Sequence, residues 1–262
     1  MPLLYEERGH VAILTLSRPD ARNAWGVDFT EGLVTRLGDM AKDKNIRCVI
    51  LTGDDAGKAF SAGADMKRRG VHNAASAGDF IENLANGRGT AAGAVSEFPK
   101  PLIAAVNGYA IGVGCIVTLC ADMIIASERA QWSLPQVRLG IMPAYGGSVR
   151  LARIVGKNNA FRAAMGYPID GAEAFRIGLA QWLTPHEKMM EQALEVAENI
   201  ASLPPLSVRI AKESLVRGQD IPNLADATFM DAYRVMALQR TEDIKEAAVA
   251  ARERRKGKYR GE

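Results

Sequence analysis

Apolar residues recur along the chain with two different spacings, which separate helices from buried strands. Leu33, Val34, Leu37 and Met40 follow the spacing of one helical face and predict a helix over residues 27–42. Short apolar runs at residues 48–52, 102–106 and 123–126 are each followed by turn residues, which is typical of strands buried on both faces. Residues 10–16 approach the alternation of a half-buried strand, and residues 113–120 have a helical pattern.

Beyond about residue 155 the pattern becomes helical. Predicted helices cover residues 187–201 and 206–216, and Thr241 is predicted to cap a last helix. Residues 67–95 are rich in Ala, Gly and Asn, with a weak helical pattern, and predict a mobile or poorly specified segment. The chain therefore divides into residues 1–200, where strands alternate with helices, and a helical C-terminal region of residues 201–262.

Composition narrows the class of protein. The 262 residues suffice for one sizeable α/β domain, and the net charge of +3 is small. No run approaches the ~18 apolar residues of a membrane span, and no secretory signal is visible, so we expect no membrane partner. A basic run at residues 251–258 could meet phosphates, but a solvated tail is the simpler interpretation, so we predict no nucleic-acid partner.

The three cysteines Cys48, Cys115 and Cys120 lack the paired spacing of a disulfide framework or a zinc site. We expect buried free thiols, a reducing compartment that is most simply the cytoplasm, and no metal ion.

Two glycine-containing segments are candidates for ligand binding, because each follows a strand and leads into a helix or loop. They cover residues 58–66 and 107–115. Small residues let a ligand approach the backbone, and two N–H groups that point at one spot would stabilise an oxyanion. Tight turns without function explain the residues equally well. A dinucleotide-binding fingerprint would need a glycine at Val117 and is disfavoured.

Several motifs together resemble the crotonase (enoyl-CoA hydratase/isomerase) superfamily across nearly the whole chain. They are Arg18-Pro19 with Asn23-Ala24, and the segments at residues 59–65, 101–108, 112–115, 135–140, 143–151 and 258–261. The resemblance implies an α/β fold, a crotonase-like spiral of ββα units with a helical C-terminal trimerisation region. It also implies self-association as a trimer or a dimer of trimers. The ligand would be an acyl-CoA, with coenzyme A as part of the substrate and no separate cofactor.

The resemblance also assigns site residues by position. The backbone N–H groups of Ala64 and Val113 would form the oxyanion hole that stabilises an enolate-like thioester. Substrate-binding positions would be Ala24, Ala62, Asp65, Met66, Lys67 and Gly112, with Ala24 and Ala62 near the adenine.

The sequence departs from a hydratase of this superfamily where proton transfer would occur. The two glutamates of such an enzyme are replaced by Ile116 and Gln136, and the carboxylate of some dienoyl-CoA isomerases by Ala144. Neither isoleucine nor glutamine exchanges a proton, and a positioned acid or base contributes on the order of 10²–10⁴ in rate. The sequence therefore predicts that water addition is severely suppressed.

Substitute groups are few. Tyr145 is either a hydrogen-bond donor to the substrate or, more simply, an aromatic wall of the acyl pocket. His72, Asp79 and Glu82 fall where the active site is often covered and are more simply solvated residues, whereas His10 and His186 are interpreted as structural.

Four hypotheses follow for function. The first is an enzyme that acts on a CoA thioester by isomerisation, decarboxylation, or carbon–carbon or thioester cleavage. The others are a non-catalytic acyl-CoA binder, an enzyme for a diketone without CoA, and a nucleic-acid binder that uses the basic run.

Overall fold

Between residues 48 and 133, consecutive strands lie alternately in two β-sheets. The computed structural model describes residues 2–65 and 90–262, and all statements of structure refer to these residues. The strands are β1 (Leu3–Arg8), β2 (Val11–Leu16), β3 (Cys48–Gly53), β4 (Ala59–Ser61), β5 (Leu102–Val106), β6 (Tyr109–Ile111), β7 (Met123–Ser127), β8 (Gln131–Ser133), β9 (Ile169–Asp170) and β10 (Trp182–Thr184).

The larger sheet has the order β1-β2-β3-β5-β7-β10 and the smaller one the order β4-β6-β8-β9. All neighbouring pairs are parallel except β1 with β2 and β8 with β9. Each of β3, β5 and β7 lies in the large sheet, and the strand that follows it in the chain lies in the small sheet. This repeated step of two strands and a connection is the ββα spiral that the sequence predicts.

Helices connect the strands and then continue alone at the C-terminus. They are α1 (Val27–Lys42), α2 (Ala91–Ser96), α3 (Val113–Thr118), α4 (Gly147–Val155), α5 (Lys157–Ala164), α6 (Gly171–Arg176), α7 (Met189–Ala201), α8 (Pro205–Gly218), α9 (Leu224–Leu238) and α10 (Glu242–Glu253). None of the helices in residues 2–65 and 90–262 is long and apolar enough to cross a membrane.

The large sheet is buried on both faces, which explains its continuous apolar strands. One face packs in the main core with α1, α2 and α3, through side chains such as Phe29, Leu33 and Leu51. The opposite face packs against α7, where Ala193 and Ala197 meet Ile50 and Ile103. Burial of apolar surface on both faces is the principal stabilising contribution of such a sheet.

The C-terminal region is tied to the core and to itself by charged side chains that bind backbone and carboxylate groups. Nη1 of Arg47 donates to the carbonyl of Ala201 at 3.1 Å, and Nη2 donates to that of Tyr259 at 2.7 Å. Nζ of Lys212 lies 2.6 Å from a carboxylate oxygen of Asp122. The buried Asp243 accepts hydrogen bonds from the N–H groups of residues 260 and 261. The end of the described chain therefore folds back onto α10.

The predicted helices and buried strands are confirmed with small changes at their ends, and two expectations need correction. Thr241 occupies the N-cap position of α10, but its hydroxyl donates to the carbonyl of Leu238 instead of accepting from the helix. Residues 91–96 form helix α2, capped by Thr90, although the sequence predicts a poorly specified segment there; the preceding residues 66–89 lie outside the description. Residues 251–256 of the basic run are exposed, as expected for a solvated segment, and Arg255 forms surface ion pairs with Glu246 and Glu253.

Candidate active site

Three neighbouring strands of the small sheet end at one edge and bring three predicted site residues together. Ser61 of β4 is paired with Ala110 of β6, and Ala64 and Val113 each lie three residues beyond this pair. The parallel pairing therefore brings both backbone segments to the same edge of the sheet. Gln136 follows β8, the next parallel strand, at the same edge. The structure thus places Gln136 beside the backbone N–H groups of Ala64 and Val113, which we call the donor row.

Glycines allow the two backbone segments to approach each other closely. A Cβ on Gly63 would lie 3.1 Å from the carbonyl oxygen of Ile111, and one on Gly112 would lie 3.9 Å from Cα of Gly63. Gly112 has φ 56° and ψ −115°, a conformation that is essentially restricted to glycine. A Cβ on Gly114 would lie 2.7 Å from the carbonyl oxygen of Ser61. Side chains larger than hydrogen would force β4 and α3 apart.

The orientation of the Ala64 N–H follows from a single β-bridge. Trp25 pairs with Ala64 in parallel, so the N–H of Trp25 donates to Gly63 at 2.7 Å and the N–H of Asp65 donates to Trp25 at 2.9 Å. In a parallel bridge the N–H of the central residue points away from the partner strand. The N–H groups of Ala64 and Val113 have no acceptor among the described residues. Val113 begins α3, where helix N–H groups lack internal partners.

Asn23 holds the loop that carries this bridge. Its side chain is fully buried, and its Nδ2 donates to the carbonyls of Asp54 at 2.9 Å and Ala59 at 2.7 Å. Its Oδ1 accepts from the N–H of Arg18 at 2.9 Å. Asn23 has φ 54°, a left-handed conformation that asparagine tolerates better than most residues. The Asn-Ala motif therefore has a structural role that sequence reasoning missed, although an asparagine in a turn was a usable signal.

Arg18 joins the same loop to the predicted substrate-binding residues. Its Nη1 donates to the carbonyl of Ala24 at 2.7 Å and lies 3.8 Å from a carboxylate oxygen of Asp65. Its Nη2 pairs with Asp28, and the guanidinium lies 4.9 Å from the ring centre of Phe29. One half-buried cation therefore fixes Ala24 and Asp65 relative to each other.

Two described side chains beside the donor row, Ile116 and Gln136, are apolar and neutral respectively. Ile116 is only 3% exposed, and a Cβ on Gly147 would lie 2.9 Å from its Cγ1, so the side chain packs tightly against the start of α4. Nε2 of Gln136 would lie 3.8 Å from a Cβ on Gly112. Oε1 of the same amide is fully buried without a partner among the described residues. Neither side chain can transfer a proton at neutral pH.

The other candidate residues are distributed as follows. Tyr145 has φ 51° and is 66% exposed, so the described residues do not enclose its ring as a pocket wall would be enclosed. Met66, Lys67, His72, Asp79 and Glu82 lie outside the described residues. His186 has the structural setting that the sequence predicts, because its ring nitrogens lie 3.0 Å from Oγ of the buried Ser127 and 2.9 Å from a carboxylate oxygen of Asp55.

The three thiols are free and buried. Burial raises the pKa of Cys48 to about 12 and raises that of Cys115 even further. Cys115 lies in α3 next to the row of donors, yet it is a thiol and not a thiolate at neutral pH. It therefore cannot act as the nucleophile of this site.

A cavity of about 460 Å³ adjoins the donor row on the outer face of the small sheet. It is lined by Arg22, Ala62, Tyr109, Ile111, Gln131, Ser133, Gly166 and Pro168. A guanidinium at its border suits a phosphorylated ligand.

Comparison with known proteins gives one consistent result. Residues 6–262 match the family model for enoyl-CoA hydratase/isomerase. A probable enoyl-CoA hydratase of Rhizobium meliloti is 36% identical over 98% of this chain and 97% of that protein. The 2,3-dehydroadipyl-CoA hydratase of Escherichia coli is 35% identical over 99% and 98%. The crystal structure of an enoyl-CoA hydratase from Bacillus anthracis matches over 100% of both chains, with TM-score 0.91 and 32% identity. The predicted crotonase-like fold is thereby confirmed.

Proposed function

Because the chain belongs to the enoyl-CoA hydratase/isomerase (crotonase) family, we propose that it binds an acyl-CoA thioester at the carboxyl edge of the small sheet. The thioester oxygen would accept hydrogen bonds from the N–H groups of Ala64 and Val113, and these would strengthen as the oxygen becomes an enolate or oxyanion. The observation that carries this proposal is the equal offset of both residues from the Ser61–Ala110 pair. Each such donor contributes roughly 3–4 kcal/mol in the transition state.

Binding of the remainder of coenzyme A is proposed for the surface beside the donors. Ala24, Ala62, Asp65 and Gly112 would border this surface, and the resemblance assigns Met66 and Lys67 to the same role. The cavity next to Ala62 and Arg22 has the charge for the nucleotide end of the ligand.

We further propose that the reaction is not simple hydration, even though the relatives carry the name hydratase. The buried Ile116 offers no polar atom, and Gln136 cannot ionise. Isomerisation, decarboxylation, and carbon–carbon or thioester cleavage remain as classes, because each exploits a stabilised anion on the thioester. A second candidate, a non-catalytic acyl-CoA binder, is favoured by the same absence of a proton-transfer group from positions 116, 136 and 144.

We also propose that the protein self-associates. The described surface of α9 exposes large apolar side chains, including Leu224, Phe229, Tyr233 and Met236, and none of its residues is buried. Apolar surface of this extent is typical of a protein interface. Sedimentation would distinguish a monomer from a trimer or a dimer of trimers.

The test of function is a mass-spectrometric screen against 2-enoyl, 3-enoyl, dienoyl, malonyl-type and 3-oxo thioesters of CoA, with chromatography to separate isomers. A new product other than a hydrated one would support the enzyme and identify the bond that changes. Rapid water addition to a 2-enoyl-CoA would overturn the exclusion of hydration. Tight binding of CoA thioesters without any product would favour the binding protein.

A further inference from the structure

The described residues bring the side-chain amide of Gln136 beside the donor row, and the two ends of this amide differ. Oε1 is buried, and neither amide atom has a hydrogen-bond partner among the described residues. Nε2 also lacks a partner but is not buried, so Nε2 is the end of the amide that a ligand can reach. If Oε1 and Nε2 exchanged places, two N–H donors would be buried without partners instead of one acceptor, which would cost more free energy. The atom available to a ligand is therefore Nε2, a hydrogen-bond donor.

The position of this donor follows from the sheet. Strands β4, β6 and β8 are parallel neighbours, and the N–H of Gly112 donates to the carbonyl of Ser133 at 2.9 Å, three residues before Gln136. Ala64, Val113 and Gln136 therefore follow three successive parallel strands, and Nε2 of Gln136 would lie 3.8 Å from a Cβ on Gly112, the residue before Val113. A ligand oxygen bound by the N–H groups of Ala64 and Val113 would leave Nε2 of Gln136 available to a second oxygen beside it.

We propose that Gln136 determines specificity by donating a hydrogen bond to a second oxygen on the acyl group, at C3, so that the preferred ligand is a 3-oxoacyl- or malonyl-type CoA thioester. This inference rests on the proposed binding of acyl-CoA at the donor row. A 3-oxoacyl group has two carbonyls separated by one carbon, and its enolate spreads charge over both oxygens. A malonyl-type group presents a carboxylate oxygen at the same place. The apolar Ile116 offers no competing acceptor or charge.

The test compares affinities for butyryl-CoA, 3-oxobutyryl-CoA and malonyl-CoA by titration calorimetry at neutral pH. Wild-type protein should bind 3-oxobutyryl-CoA, malonyl-CoA or both roughly tenfold more tightly than butyryl-CoA, because one good hydrogen bond has about this effect. Gln136→Met retains the volume but removes the donor, so the preference should disappear while butyryl-CoA binding persists. Gln192→Met, at a half-buried position of α7 like that of Gln136, is the matched control and should retain the preference.

The absorbance of bound 3-oxobutyryl enolate gives a second readout that a purely structural role would not change. Wild-type protein should produce the enolate band at lower pH than free ligand, and Gln136→Met should shift the band back toward higher pH. Gln136→Glu keeps the shape but adds a negative charge, so it should weaken binding of malonyl-CoA more than that of butyryl-CoA. This variant replaces Gln136→Met in the test if the methionine variant does not fold.

The outcomes separate this inference from the proposal on which it rests. Equal affinity of wild-type protein for all three thioesters would overturn the role of Gln136 and leave acyl-CoA binding intact. Absence of binding for all three would overturn both. If 3-oxobutyryl-CoA binds more tightly, the preferred oxygen at C3 is that of a ketone; if malonyl-CoA does, it is that of a carboxylate.

Discussion

The two halves of the candidate site are built from different parts of the chain. One half consists of backbone N–H groups that follow paired strands, and it is held by the close approach of Gly63 and Gly112 and by the buried Asn23. The other half is a wall of side chains that includes Ile116 and Gln136, at the positions where the resemblance expects a hydratase's glutamates. Under the proposed function, the backbone half would bind and polarise a thioester in any protein with this fold, whereas the choice of reaction would depend on very few side chains.

The largest expected effect comes from restoring the carboxylates. Ile116→Glu together with Gln136→Glu should raise hydration of a 2-enoyl-CoA by on the order of 10²–10⁴, because a positioned acid and base then become available. The rate of water addition measures the effect. The matched control is Ile116→Gln in the presence of Gln136, which adds polarity without a titratable group and should gain nothing. A folded double variant that binds acyl-CoA yet shows no increase would contradict the division of the site into two halves.

The next largest effect is expected in the half of the site that consists of backbone N–H groups. Gly114→Ala places a Cβ 2.7 Å from the carbonyl oxygen of Ser61, so α3 must move away from β4. We expect a loss of about 2–3 kcal/mol in the free energy of unfolding. Displacement of the Val113 N–H should also weaken acyl-CoA binding by roughly tenfold or more.

Gly38→Ala in α1 is the control for this substitution, because a Cβ there meets no atom within 4 Å. It should stabilise the protein by about 0.5–1 kcal/mol through helix propensity and leave binding unchanged. Denaturant titration and calorimetry measure both variants. Unchanged binding by a folded Gly114→Ala protein would show that the separation of the two segments is not critical.

A smaller effect is expected at the loop that supports Ala64. Asn23→Ala removes three hydrogen bonds and leaves their buried or half-buried backbone partners without this side chain, which should cost about 2 kcal/mol of stability. Acyl-CoA affinity should fall at the same time, because the Trp25–Ala64 bridge loses its support. Asn45→Ala, at an exposed position, should change stability by less than about 0.5 kcal/mol. Equal stabilities of the two variants would mean that the loop is held by other contacts.

The last effect depends on pH and distinguishes a charged side chain that supports the backbone from a neutral one. Nζ of the buried Lys100 donates to the carbonyls of Met40 and Asp43, and burial lowers its pKa from 10.5 to about 8. Between pH 8 and 10.5 the unfolded chain therefore binds more protons at this lysine than the folded protein. Stability should rise with pH in this window relative to Lys100→Met, whereas the effect of Asn23→Ala should not depend on pH. Unfolding curves at several pH values would detect the difference, and parallel curves would contradict it.

Sequence reasoning succeeded where a pattern extends over enough residues to repeat. The helix at residues 27–42 and the strand at residues 102–106 have the predicted bounds, because each buries a continuous apolar face. The three-residue strands of the small sheet are too short to show a period, so their pairing was not predicted from the residues. The site positions were available only through resemblance, since the register of Ser61 with Ala110 depends on contacts between distant segments.

The side-chain environment was less predictable. The sequence identified Gln136 as unable to transfer a proton, but not that its Oε1 is buried or that its Nε2 faces Gly112. Those facts depend on how the turn after β8 packs against α3. The left-handed conformation of Tyr145 was equally hidden, because tyrosine has no preference for it.

The pairing of β4 with β6 also links ligand binding to the order of folding. Ser61 and Ala110 are about fifty positions apart, so their contact closes a long loop and is expected to form late compared with local helices. A partly folded chain that has formed α1 and α7 but not the small sheet would have native-like helix content and no thioester affinity. Acyl-CoA binding during refolding would therefore report on completion of the small sheet, and a thioester ligand would selectively stabilise chains that have reached it.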